Sequence, residues 1–223
     1  MKTPINREII QNHMHYSWWK YLLLVVLAVF GWNLIYTTTA YRPPEEKKVN
    51  LIATCLGEQE KMDAYMEHIR QTQMSNMEDM SSIFMFMDET YGPMQLSTYI
   101  AAGEGDLYLL TKDEFQSYAS QGAFVALDQL EGFTDYCDSK GFVVDKGWRT
   151  NTEIGEKHLY GIPMSNLPGL KQYFYTNEEY YLTIIVSNQN DVNVNKFMMI
   201  LLEDMSVTET ATPTDLASAT DAQ

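Results

Sequence analysis

Residues 104–127, EGDLYLLTKDEFQSYASQGAFVAL, constrain the fold more than any other stretch of this chain. They read as turn, short apolar strand, capped helix, glycine stop and second apolar segment. Gly103 and Gly105 permit the tight backbone leading into a strand over residues 106–110, and Thr111 stands where a helix N-cap belongs. Phe115, Tyr118 and Ala119 share one helical face, and Gly122 ends the helix. This is the grammar of an α/β fold.

The same grammar repeats upstream. Residues 49–56 form an apolar strand closing at Gly57, and a helix over residues 58–74 sets Met62, Tyr65, Met66 and Ile69 on one face. Residues 82–87, SIFMFM, are a second strand without alternation, the pattern of a strand covered on both faces. Pro93 opens the next helix, with Leu96, Tyr99 and Ile100 as its inner stripe. Three βα units in succession predict a single doubly wound, mainly parallel sheet flanked by helices.

Farther on, residues 129–157 are rich in Gly, Asp and Lys, with apolar islands at Phe142, Val143, Val144 and Trp148, and are expected to cross the sheet edge. Residues 181–187, YLTIIVS, read as another buried strand, followed by turn and cap residues Asn188, Asn190 and Asp191. Val194, Phe197, Met198 and Leu201 line one face of a last helix. Residues 206–223 are almost devoid of apolar side chains, which predicts a disordered tail.

The N-terminal region obeys different physics. Residues 21–36 are uncharged and apolar, bracketed by Trp18, Trp19 and Tyr21 on one side and Trp32, Tyr36 and Tyr41 on the other. With its flanks this run is long enough to cross a hydrocarbon core of ~30 Å, and the aromatics suit both interfaces. It predicts one transmembrane helix over residues 20–40. Lys2, Arg7 and Lys20 against Glu8 make its N-terminal side basic, so the positive-inside rule puts residues 1–19 in the cytoplasm and the main domain outside, in a single-pass cell-membrane protein. A cleaved signal peptide is the competing reading, for which Thr38, Thr39 and Ala40 make a poor cleavage site. Cys55 lies too far beyond the apolar run for a lipoprotein. Residues 41–48, with Pro43 and Pro44, form an extended stalk of ~25 Å, which holds a domain over residues 49–205 close to the membrane.

The net charge of −15 becomes −17 once the basic residues 1–41 are set aside, which argues against nucleic acid and against docking on anionic lipid. Cys55 and Cys137 are too few to build a disulfide framework; two free thiols are favoured over one bridge. His13 and His15 form a pair without further ligands nearby, and His68 and His158 are isolated, so no metal site is expected. Nucleophile elbow, Walker loop and dinucleotide fingerprint are all missing from the sequence. An enzyme is the weakest reading, and no cofactor is expected.

The wording of the organising stretch carries a resemblance. Gly103, Gly105, Asp106, Phe115, Tyr118, Ala119, Gly122, Leu127 and Asp128 stand in a pattern that closely resembles bacterial extracellular solute-binding proteins, the capture subunits of ABC importers, with the type II periplasmic-binding fold. His158 and the Tyr160, Gly161, Ile162, Pro163 run are similar to the strand that carries such a chain back through its first lobe, and residues 181–187 with the following helix look like its return segment. The resemblance covers about residues 48–205 and implies the strand order second, first, third that solute-binding lobes share. Family members insert a whole second lobe between these two strands; here only residues 164–180 separate them. The resemblance therefore implies one lobe of the usual two, with an open face in place of a closing clamp.

In open α/β sheets ligands approach the carboxyl ends of the strands. The sequence places Glu58, Asp88, Tyr91, Lys112, Ser165 and Asn166 there as candidate ligand-binding residues. Tyr91 suits stacking on a sugar ring, and Glu58, Asp88 and Asn166 suit hydroxyls, although these residue types serve equally as caps and turns. The function expected is a membrane-anchored module outside the cytoplasm, acting as an accessory or recognition subunit of a membrane transporter or sensor. The alternative is direct capture of a small solute, a sugar or oligosaccharide, for an ABC importer. Partner recognition implies an exposed apolar patch at the strand ends; solute capture implies a concave site with Tyr91 accessible.

Overall fold

The computed structural model describes residues 7–206, apart from residue 89 and residues 187–189. The first six residues, the expected strand end at Ser187, the turn residue Asn188 and the tail beyond residue 206 lie outside the described residues. The chain divides into two compact units, Met1–Arg42 and Pro43–Gln223.

The first unit is one helix, α1 (Arg7–Thr39). Its segment His15–Thr39 has a mean hydropathy of 1.8 and is long and apolar enough to cross a membrane, a property shared by anchors and by signal sequences. Leu24, Phe30 and Trp32 stand exposed along it. Thr37, Thr38 and Thr39 donate their hydroxyls back to the carbonyls of Asn33, Leu34 and Ile35 at 2.9, 2.7 and 2.6 Å, so these polar groups are satisfied within the helix.

The second unit runs β1 (Lys48–Ala53), β2 (Leu56–Gly57), α2 (Gln59–Thr72), β3 (Asp79–Phe84), α3 (Gly92–Ala102), β4 (Leu107–Thr111) and α4 (Lys112–Ser120). It continues through α5 (Phe133–Lys140), β5 (Trp148–Thr150), β6 (Lys157–Leu159), β7 (Ile162–Pro163), β8 (Phe174–Tyr175), β9 (Tyr180–Ile184) and α6 (Asp191–Met205). The central five-stranded sheet has the order β3-β1-β4-β9-β7. β1 is parallel to both β3 and β4, while β9 is antiparallel to β4 and β7, so only β9 runs against the rest. The result is a mixed α/β unit with a mainly parallel central sheet, its first three strands in the predicted order.

Side chains alternate between the two faces of the strands. Leu51, Ala53, Leu107, Leu109, Leu182 and Ile184 meet α2, α5 and α6 on one face. Ile52, Tyr108, Leu110, Tyr181 and Ile185 meet α3 and α4 on the other. Coverage on both faces is why β1 and β4 read as unbroken apolar runs. The expected stripe of α2 is buried throughout, as is that of α6. In α3 Leu96 is buried and Tyr99 and Ile100 are half-buried.

The β4–α4 junction is built as its sequence requires. The Thr111 hydroxyl accepts the Glu114 N–H at 3.4 Å, and the Glu114 carboxylate accepts the Thr111 N–H at 2.9 Å, a reciprocal capping box. Phe115 then stacks on Tyr181 with ring centroids 4.5 Å apart. Gly122 closes the helix at φ +75°.

Three expectations change in the structure. β3 spans Asp79–Phe84, three residues upstream of the expected position, in a register that pairs Lys48 with Asp79. It is an edge strand, and α2 satisfies its outer groups: the Ser82 N–H donates to Asp63 at 2.6 Å and Gln59 donates to the Ser82 carbonyl at 2.9 Å. The apolar run there does not mark the strand, since of residues 83–87 only Met85 is buried and Phe86 is exposed; hydrogen bonding set the strand. The first strand ends at Ala53, and Leu56 pairs instead with Tyr175 in the small β2–β8 sheet. Residues 129–157, expected as an irregular crossing, contain α5 and one strand of the β5–β6 hairpin.

Residues 164–179 connect β7 to β9 on one edge of the sheet, through short turns at Met164–Asn166 and Pro168–Gln172 and through β8. Leu167, Leu170, Tyr173 and Phe174 are buried in this connection, so it is folded onto the core. Both cysteines are buried and unbonded.

Candidate functional site

Four central strands direct their carboxyl ends to one edge, and β9 begins there, with Tyr180 opposite Thr111. An open cleft of about 440 Å³ occupies this edge. Its walls are Thr54, Cys55 and Leu56 after β1, Met85, Phe86 and Met87 after β3, and Thr111 at the end of β4. The β7–β9 connection adds Tyr175, Thr176, Asn177 and Glu178 before Tyr180.

Each wall follows from local structure. The Met85 N–H donates to the Ala53 carbonyl at 2.8 Å, the last ladder bond before the chain turns outward and leaves Phe86 69% exposed. β2 and β8 pair antiparallel, Leu56 against Tyr175, which places both side chains on the rim. That pairing depends on Gly57, where any Cβ would overlap the Tyr173 carbonyl oxygen and the Phe84 ring. Glu114 braces the floor: Thr54 donates to its carboxylate at 2.7 Å while the same carboxylate holds the Thr111 N–H.

The Cys55 thiol and the Tyr180 hydroxyl of the cleft stay protonated near neutral pH. Burial, with Glu114 adding to it, pushes the Cys55 thiol up to about 12. The Tyr180 hydroxyl is likewise pushed up to about 12, chiefly by burial and then by Cys55 and the carboxylates Glu114 and Glu178. Cys55 is therefore a poor nucleophile. The cleft presents hydroxyls, an amide and one carboxylate beside apolar and aromatic surface, a lining suited to recognition.

The residues singled out from sequence are distributed around this edge. Glu58 touches the cleft wall indirectly, accepting a hydrogen bond from the Tyr175 hydroxyl; Lys61 and that hydroxyl together hold its carboxyl below the usual range. Asp88 accepts the N–H groups of Thr90 and Tyr91, both at 2.8 Å, in the turn before α3. Tyr91 is 64% exposed at the start of α3, outside the cleft lining. Lys112 is exposed at the first position of α4. Ser165 lines an adjoining depression of about 370 Å³ that shares Thr176, Asn177 and Glu178 with the cleft. Asn166 accepts the Val143 N–H at 2.7 Å and donates to the carbonyls of Val143 and Pro163, so its amide ties loops together.

Sequence reasoning missed Thr54, Cys55 and Phe86 because it ran the first two strands past their true ends, and Tyr175 and Tyr180 because only the distant pairings with Leu56 and Thr111 bring them to this edge. A signal existed for Phe86: a strand of six residues from the polar Asp79 ends before it. His158, isolated in sequence, lies between Asp128 at 2.9 Å and Glu156 at 3.2 Å, and both carboxylates raise its pKa. Among the described residues no group of three or more His, Cys, Asp or Glu side chains is placed to hold a metal ion.

The chain matches no family model and no curated protein. Two solved structures are similar to part of it. One is an extracellular solute-binding protein family 1 member from Alicyclobacillus acidocaldarius subsp. acidocaldarius DSM 446, at 18% identity and a TM-score of 0.38 over 55% of this chain and 28% of that one. The other is an uncharacterized protein from Listeria monocytogenes EGD-e, at 14% identity and a TM-score of 0.38 over 52% of this chain and 28% of that one. The present chain thus spans less than a third of either structure's length.

Proposed function

We propose that this protein is a membrane-anchored recognition module with a single solute-binding-type lobe outside the cytoplasm, serving a membrane transporter or sensor as an accessory or recognition subunit. One observation carries the reading. At the edge of the sheet where α/β folds take their ligands, Leu56, Phe86 and Tyr175 hold large apolar surface in water around a cleft. The pattern of Gly103, Asp106, Phe115 and Gly122 and the strand order support the family expectation. The length and apolar character of α1 support an anchor, and the basic residues before it support a cytoplasmic N-terminus.

A photo-crosslinking amino acid in place of Phe86, in the full chain in its native membrane, tests this. The expected result is one discrete adduct with a membrane protein, much stronger than from the same probe at exposed Ile154 near the β5–β6 hairpin. Equal, diffuse labelling from both positions sinks it. Direct capture of a small solute is the second reading, favoured by the concavity of the cleft. It predicts a saturable rise in unfolding temperature, since ligand at 100 times its dissociation constant adds ~2.7 kcal/mol.

A further inference from the structure

The chemistry of the cleft is lopsided. Glu178 is the one formally charged side chain in its lining, and it is exposed with no ion-pair partner among the described residues. Glu114 lies under the floor, bonded to Thr54 and to the Thr111 backbone. No lysine or arginine belongs to the cleft lining: Lys61 is paired with Glu58 at 2.5 Å, Lys112 is exposed at the start of α4, and Lys171 borders Glu178 only through the adjoining depression. The charges that raise the Cys55 and Tyr180 protons include Glu114 and Glu178, with no lysine or arginine among the causes. Phe86 and Tyr175 face solvent from two walls, 69% and 61% exposed. The whole unit beyond residue 41 carries −17, so a second copy or an anionic ligand meets repulsion.

We propose that the cleft selects a small organic cation, an ammonium or guanidinium group on a short apolar body. This rests on the reading of the cleft as the recognition surface, and names what it recognises. A cation set among the Phe86 and Tyr175 rings gains from their negative faces and from the Glu178 carboxylate in the same lining. The same position offers an anion only like charge, and gives a neutral group of equal shape burial alone. A cavity of about 440 Å³ is in the size range of small-molecule sites.

The test uses the full chain in detergent, titrated calorimetrically with choline, putrescine and arginine methyl ester. 3,3-Dimethylbutan-1-ol, the uncharged counterpart of choline, serves as the neutral control, and a short Lys- and Arg-containing peptide as the alternative source of the cation. At least one small cation should bind saturably, with the charged member of the choline pair favoured about tenfold. Phe86→Ala should weaken the cation about tenfold, Glu178→Gln should narrow the preference for charge, and the bound cation should suppress the crosslink from position 86. Equal binding of choline and its neutral counterpart overturns the proposal. So does saturation by the peptide when none of the small cations saturates. If no cation binds while the crosslink from position 86 persists, the ligand class is wrong and the recognition surface stands. If both are absent, the two readings fall together.

Discussion

At the scale of single residues, the structure exposes a few side chains whose cost or benefit can be measured. Asp106 accepts the Asn50 N–H at 2.8 Å at the start of β4, yet burial, with Glu45 and Asp191 adding to it, raises its carboxyl from 3.8 to about 6. The folded state then holds this proton more tightly than the unfolded chain, so stability falls as pH rises from about 4 to about 6, and the full cost persists above. Asp106→Asn should stabilise the protein at pH 7.5 by on the order of 2 kcal/mol and flatten that part of the profile. Urea titrations from pH 4 to 8 read both effects, and an unaltered profile refutes the assignment. Thr111→Ala removes the cap of α4 and should cost about 1 kcal/mol; a loss no greater than that of an exposed helix-surface substitution such as Ser117→Ala contradicts the role of the capping box.

At the scale of elements, α4 is fixed to the sheet by one aromatic stack. Phe115→Ala leaves a cavity against Tyr181 and Phe124 and should cost about 3–5 kcal/mol in chemical denaturation. The β2–β8 pair matters for the site more than for the core. Gly57→Ala should force the Tyr173 carbonyl and the Phe84 ring aside, displace Tyr175 and weaken whatever the cleft binds, which a crosslinking comparison at position 86 detects. The β5–β6 hairpin carries a pH-dependent staple. Hydrogen bonds accepted from the His158 ring by the Asp128 and Glu156 carboxylates raise its pKa in the folded state. Its stabilising contribution is therefore complete below the ordinary histidine value and is lost as pH rises through the folded one. An NMR titration should show His158 titrating above the ordinary range, and Asp128→Asn should bring it down.

At the scale of the whole molecule, the two units pose opposite solvent problems. α1 is long and apolar enough to cross a membrane, while the unit that follows is strongly acidic and has its own core. The full chain should sediment with membranes, resist extraction at alkaline pH and be released by detergent, and protease added from outside should digest the α/β unit in intact cells. Release by carbonate alone contradicts an uncleaved anchor. The connection over residues 164–179 also has a global consequence. Because Leu167, Leu170 and Phe174 are buried in it, it closes one face at the strand ends and leaves the cleft as the open remainder.

Much of this was legible in the linear chain. The βα grammar around Thr111, Phe115 and Gly122, the buried stripes of α2 and α6, and the apolar run of α1 are local patterns, each carried by residues within a few turns of one another. The order of the first three strands, β3-β1-β4, is the one that the resemblance to solute-binding lobes implied. Where β1 and β3 end, and hence which side chains line the cleft, was decided by tertiary structure. A strand ends where its partner's hydrogen bonds end, and those partners lie far off in sequence: Asp79 for Lys48, and Tyr175 for Leu56. The meeting of Thr54 with Glu114 and of His158 with Asp128, and the placing of Phe86 and Tyr175 on one cleft, likewise depend on register and packing between distant segments, which local propensity does not encode.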